Sequence, residues 1–265
     1  MEQFVKDNSI VREIWGKSDT VLFIFAGASA EFALNKAVDW LYFTGKLPAD
    51  PLGRLFSTVG YARDIIFSDT AEAFKTIDRI AAIHGAIEAK RERSIPDWAY
   101  RDVLFLLIDY SIRAYEILER RLTAKEKTEV FEVFCRVGDR MGIPDLPLSL
   151  GGYEVMRLQH LQQNLCYSHY TKDLFNQYRK HLGTFRYRIL LKSQALVVPQ
   201  SVKLLLGFRW VSLFRPLIAI YRLARLVKAD MLIKALILPD EYKSQVKAID
   251  RKPIAAKCPF NFKTG

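Results

Sequence analysis

The chain is poor in the residues that build a cross-linked or metal-clipped scaffold. Its 265 residues include 3 cysteines, Cys135, Cys166 and Cys258. An odd number at wide spacing excludes a disulfide framework and a cysteine zinc site, and it fits a reducing compartment. Histidine is scarce too, with 4 in the chain. His160, His169 and His181 match no H-E-x-x-H motif and read as structural or surface residues. There is no G-x-G-x-x-G after a strand, no G-x-x-x-x-G-K-[ST] and no G-x-S-x-G, so nucleotide-dependent and serine-hydrolase chemistry lack support. Long apolar runs are missing: Thr20 to Ala30 ends at Glu31, too short to span a bilayer. The start, Met1 to Asp7, carries charge of both signs and no apolar core. No secretory leader is expected, and a cytoplasmic location is.

What is present is a large apolar fraction and a lopsided charge. Half of the residues, 50%, are hydrophobic and 26% are charged, and mean hydropathy is +0.01. That combination supplies a substantial core and points to an apolar cavity or a lipid-facing surface. Residues 1–150 hold 20 Lys+Arg against 23 Asp+Glu, net −3, whereas residues 151–265 hold 20 against 6, net +14. A basic half of this kind meets phosphate, on nucleic acid or on an anionic membrane. No zinc-finger, RNA-binding or homeodomain signature accompanies it, so peripheral membrane contact is expected and nucleic acid is not. Residues 202–238 interleave Lys203, Arg209, Arg215, Arg222 and Arg225 with large apolar residues. They read either as a core helix with snorkelling cations or as an in-plane membrane helix. Arg215-Pro216 interrupts the most apolar part, so a spanning helix is not expected.

Periodicity predicts helix nearly throughout; Ala195-Leu196-Val197-Val198 is the one short strand-like run. Residues 20–44 read as one apolar helix, with Gly27 and Ala30 allowing close packing. A helix follows Pro51 to about Phe67, and Ser68-Asp69-Thr70 caps the next. The longest is predicted over 97–121, with apolar residues recurring at three and four. Thr123-Ala124-Lys125-Glu126 is a capping box, and its helix stops at Gly142 ahead of Pro144. Helix with breaks is expected from Gly151 to Lys192, and one or two basic helices over 200–240. The fold class is all-α: a single multi-helix bundle domain over 1–240 and a loosely ordered tail over 241–265.

Three residues carry the functional reading. Arg54 and Thr58 are four apart and share a helix face. Read alone, they are a surface arginine and a threonine bonding back to the preceding turn. His84 sits beside Ile80, Ile83 and Ile87. It is either a satisfied core histidine or an axial ligand, because one neutral imidazole can hold haem iron if the pocket is apolar and a cation meets the propionates. Arg54, Lys36 or the basic C-terminal half would supply that cation. No C-x-x-C-H is present, which excludes covalent haem attachment.

The order of these pieces resembles one family, over roughly residues 15–160. The resemblance rests on Asp50-Pro51-Leu52-Gly53-Arg54 with Thr58, on Phe67-Ser68-Asp69-Thr70-Ala71-Glu72-Ala73 and on Ile83-His84-Gly85. It rests also on Leu107 to Glu116, and on Val137-Gly138 followed by Met141-Gly142-Ile143-Pro144. The family is the haem-dependent oxygenase group that joins the latex-clearing rubber oxygenases to the endoplasmic-reticulum oxygenase of mycophenolic acid biosynthesis. The resemblance implies an all-helical haem b enzyme with a pocket inside the bundle. It implies His84 as proximal iron ligand, with Arg54 and Thr58 close to the haem. The activity implied is oxidation with O₂ of a hydrophobic, isoprenoid- or polyketide-like substrate.

The chain departs from the family pattern at particular positions. Asn35-Lys36 stands where many members have His-Pro, and Asp102-Val103-Leu104 where many have Trp-Val-His. Ser57 replaces the lysine that precedes the threonine in the latex-clearing enzymes. Glu88 replaces the usual basic residue four after the axial histidine. The catalytic carboxylate of those enzymes falls near Val38-Asp39, which makes Asp39 the candidate base. Haem binding is therefore expected and rubber cleavage itself is not. The rival expectation is a non-enzymatic helical protein that binds a membrane or a partner through residues 202–238.

Overall fold

A computed structural model describes residues 2–45, 49–208, 221, 222 and 249. The molecule is all-α. Ten helices and no strand occur among the described residues: α1 (Ile10–Trp15), α2 (Ser18–Phe32), α3 (Asp39–Phe43), α4 (Pro51–Phe67), α5 (Thr70–Arg91), α6 (Asp97–Leu118), α7 (Ala124–Arg140), α8 (Leu150–Gln163), α9 (His169–Val197) and α10 (Gln200–Leu205). The expected basic helices over 200–240 lie outside the described residues beyond α10, except at Tyr221 and Arg222. The expected tail likewise lies outside them, except that Ile249 is buried in the main core.

The core is the seam between α2 and α6, with α1, α4, α7 and α8 packed around it. Trp15 anchors it. The indole is fully buried, meets Phe25 edge-on at 6.1 Å, and donates from Nε1 to Ser111 Oγ at 3.1 Å. A buried indole N–H without such a partner would cost about 1–3 kcal/mol. Gly27 lets the two helices close: a Cβ there would lie 2.2 Å from Tyr110 Cδ1.

The expected single helix over 20–44 ends instead at Phe32. Asn35 is the reason. Its Oδ1 accepts from Ala37 N at 2.8 Å, which offers the backbone a turn in place of helix. The freed segment pairs with residues 164–166, through Lys36 N to Asn164 O at 2.9 Å and Cys166 N to Leu34 O at 2.8 Å. The helix expected to run to 121 and to be the longest ends at Leu118; α5 equals it at 22 residues, and α9 spans 29 across a kink at Gly183, whose φ is +71°. The strand-like run at 195–198 is the end of α9, where Val197 and Val198 are apolar because the core buries them.

Candidate functional site

The start of α4 is fixed by Asp50, whose carboxylate accepts from Gly53 N at 2.8 Å. Pro51 follows at the first helical position, where its missing N–H costs nothing. This cap places Arg54 in the first turn. Thr58 Oγ1 donates to Arg54 O at 3.1 Å and Ser57 Oγ donates to the same carbonyl at 2.8 Å. Both hydroxyls thus bond back along their own helix, and Thr58 is exposed.

Asp69 caps α5 by accepting from Glu72 N at 3.0 Å, and the helix carries His84 on its far half. His84, Glu88 and Arg91 follow at four and seven along one face. The His84 ring meets Tyr100 edge-on, with centroids 5.3 Å apart. Glu88 Oε1 accepts from Ile95 N at 2.6 Å and from Tyr100 Oη at 3.3 Å, tying the α5–α6 turn and Tyr100 to the His84 face. A cleft of about 350 Å³ opens here, lined by His84, Gly85, Glu88, Ser94 and Tyr100 and by the end of α7 at 141–144. That rim is set by Gly142, whose φ of +72° ends α7. Gly142 N then reaches Asp139 O and Ile143 N reaches Gly138 O, the paired bonds of a Schellman cap. A Cβ on Gly85 would meet nothing within 4 Å, so the space beside it is open.

His84 Nδ1 is buried with no hydrogen-bond partner. Burial holds the His84 pKa below the ordinary histidine value, and the Arg54 charge pushes it the same way; Glu88 opposes them. The imidazole is therefore neutral at pH 7. The charge of Arg54 on α4 is felt at His84 on α5, but neither Arg54 nor Thr58 lines the cleft. Lys36 and Asp39 are placed elsewhere, and neither lines the cleft. Lys36 Nζ donates to Gln163 O at 2.6 Å, at the end of α8. Asp39 Oδ2 pairs with Arg91 Nη2 at 2.7 Å, while the guanidinium lies 4.1 Å from the Trp40 ring centroid. Burial and Glu132 push the Cys135 thiol up to about 11, so it carries its proton at neutral pH. Among the described residues no group of three or more His, Cys, Asp or Glu is suited to a metal ion.

Sequence reasoning missed a second constellation, in which His160 is central. Glu31 on α2 is fully buried and is met by Arg157 and His160 from α8 and by Tyr110 from α6. Arg157 Nη2 donates to Glu31 Oε2 at 2.7 Å and to Asp109 Oδ2 at 2.8 Å, and Nη1 pairs with Glu31 Oε1. The second nitrogen of His160 faces Asp102 Oδ2 at 2.6 Å, and Asn164 Nδ2 donates to the same oxygen at 3.0 Å. Burial would raise the Glu31 carboxyl, but Arg157 and then His160 outweigh it and hold the pKa down to about 2. A signal was present in the pattern. Asp102 and Asp109 sit seven apart on an otherwise apolar face of α6, and Arg157, His160 and Asn164 follow at three and seven on α8.

A family model described as ER-bound oxygenase mpaB/B'/Rubber oxygenase, catalytic domain, matches residues 15–232. No curated protein and no solved structure matches the chain at a significant level.

Proposed function

This chain belongs to the ER-bound oxygenase mpaB/B'/rubber oxygenase catalytic-domain family, and from that premise we propose that it is a haem b-dependent oxygenase acting with O₂ on a hydrophobic substrate. One observation carries the reading: His84 presents a neutral imidazole, with a buried and unpartnered Nδ1, at the wall of an open cleft. A single imidazole of this kind suffices to hold haem iron, without a cluster of further ligands.

The His84 imidazole fits the group as an axial ligand, although the cleft wall carries Glu88 and Asp97 and no cation. The neutral form keeps a ring lone pair for a metal, and burial with Arg54 nearby protects that form against protonation. Arg54 would meet the carboxylates of the porphyrin. Thr58 and Ser57 fix the Arg54 turn through its carbonyl, so their role toward the cofactor is positional. Tyr100 of α6, which donates to Glu88 of α5, braces the His84 face. When bound, haem would supply O₂ activation and electron transfer, and the protein would supply the axial ligand and the polarity around it. Asp39 is engaged by Arg91 and Lys36 by Gln163 O, so a base or a propionate contact at either would require that bond to open first.

The test is an absorption spectrum. Purified protein, or protein reconstituted with haemin, should give a Soret band that His84→Ala loses while helical circular dichroism is retained. Full haem retention in that variant would overturn the ligand assignment. A protein that stays colourless after haemin treatment would return the reading to a non-enzymatic helical binding protein.

A further inference from the structure

The buried cluster around His160 asks for one more proton than a neutral imidazole carries. Both ring nitrogens face carboxylate oxygens, Nε2 at 2.9 Å from Glu31 Oε1 and Nδ1 at 2.6 Å from Asp102 Oδ2. A carboxylate only accepts, and a neutral imidazole donates from one nitrogen alone. The other nitrogen would then aim a lone pair at an anionic oxygen in the dry interior, since His160, Glu31 and Asp102 are each at most 3% exposed. Glu31 is held ionised, so it does not take the proton in place of the ring. Glu31 is already paired with Arg157 and accepts from Tyr110 Oη at 2.7 Å, and Asp102 accepts from Asn164.

We propose that His160 is a permanent imidazolium in the native protein at neutral pH, a charge lock that pins α8 to both α2 and α6 and opens when alkali removes its proton. The charges balance on this reading. From α2 comes Glu31; from α6 come Asp102, Asp109 and the hydroxyl of Tyr110; from α8 itself comes Arg157, with Tyr153 beside Asp109. Arg113 of α6 meets the other oxygen of Asp109 at 2.7 Å, and Lys36 approaches the end of α8 through Gln163 O at 2.6 Å. Within this set three carboxylates, Glu31, Asp102 and Asp109, face the two guanidiniums of Arg157 and Arg113. Only a charged His160 completes the third pair.

Burial opposes the charged ring, but the carboxylates of Asp102, 2.6 Å from Nδ1 though off the line of a hydrogen bond, and of Glu31 outweigh it and raise the His160 pKa above the ordinary value. The sign follows. A histidine whose folded pKa exceeds its unfolded one contributes stability that is complete below the unfolded value, about 6.5. That contribution is lost as pH rises through the folded value. The lock is thus closed in acid and at neutrality and weakens on the alkaline side.

The experiment is a side-chain NMR titration of the full chain labelled with ¹⁵N-histidine, with thermal unfolding followed across the same pH range. Four histidines make assignment tractable, and His160→Gln identifies the signal. The expected result is a ring protonated on both nitrogens at pH 7, titrating above the ordinary histidine value and above His84. The unfolding midpoint should fall through that titration in the wild type and lose this fall in His160→Gln. If His160→Gln does not fold, Asp102→Asn decides: it removes one anion and should shift the His160 titration to lower pH. A His160 ring with a single N–H at pH 7 would overturn the proposal. So would a titration unmoved in Asp102→Asn, or an identical pH slope in wild type and a folded His160→Gln.

Discussion

At the scale of single residues, Glu31 and Lys36 show how burial decides what a charge is worth. Lys36 is exposed and makes one bond to a helix-end carbonyl, so its removal should cost little, roughly 0–1 kcal/mol. Glu31 is fully buried between Arg157, His160 and Tyr110. Glu31→Gln keeps the shape and removes the charge, leaving Arg157 with Asp109 as its remaining anion and His160 facing an amide. Breaking a buried pair from one side costs about 3–5 kcal/mol, and urea unfolding at pH 7 should read a loss of that size. The same carboxylate predicts acid behaviour. Its pKa is held down to about 2 from a reference of 4.5, so its contribution is complete above about 4.5 and fades as pH falls toward about 2. Unfolding midpoints should drop across that window in the wild type, with a smaller drop in Glu31→Gln. Equal drops would mean that other carboxylates dominate acid unfolding.

At the scale of elements, the helices most legible in the sequence are those whose ends are written in side chains. Asp50 with Pro51, Asp69, and Thr123 with Glu126 are caps that act within three residues, and each begins its helix where expected. Gly142 ends α7 through a local conformation that only its own position requires. The misread boundaries depend on distant partners. Asn35 breaks the 20–44 run because residues 164–166 are there to receive the freed backbone, and 195–198 is apolar because of tertiary burial. The sites follow the same rule. His84 and Arg54 were visible as unusual residues on apolar helices, whereas the His160 cluster joins three helices and no local window contains it. Gly27 is an intermediate case, visible as a small residue but not as an obligatory one. A Cβ there would stand 2.2 Å from Tyr110 Cδ1 and 2.9 Å from Val197 Cγ1. Tyr110 cannot swing aside without losing its 2.7 Å bond to Glu31. Overpacking commonly costs about 1–3 kcal/mol, and Gly27→Ala should fall at the upper end of that range in thermal or urea unfolding. A neutral result would mean that α2 and α6 slide apart at little cost.

At the scale of the molecule, the two halves of the sequence differ in charge. Residues 81–144 supply the whole lining of the cleft, His84 and Tyr100 included, and they lie in the acidic part of the sequence. Residues 151–265 carry the net +14. A hydrophobic substrate is sparingly soluble in water and partitions into lipid, so a basic surface that meets anionic headgroups would bring the oxidising site to where such a substrate is concentrated. Among the described residues no helix is long and apolar enough to cross a membrane. The prediction concerns attraction between charges, and salt is its natural probe. The Debye length falls from about 30 Å at 0.01 M to about 8 Å at 0.15 M ionic strength. The full chain should therefore sediment with vesicles containing anionic phospholipid in low salt, release steeply as salt is added, and ignore vesicles of zwitterionic lipid alone. Each basic residue near such a surface is worth about 1 kcal/mol, so replacing two or three of the cations within 202–238 should lower the salt concentration at half-release. Sedimentation that is insensitive to salt would locate the interaction in apolar contact, and no sedimentation at all would leave the net +14 without a membrane role.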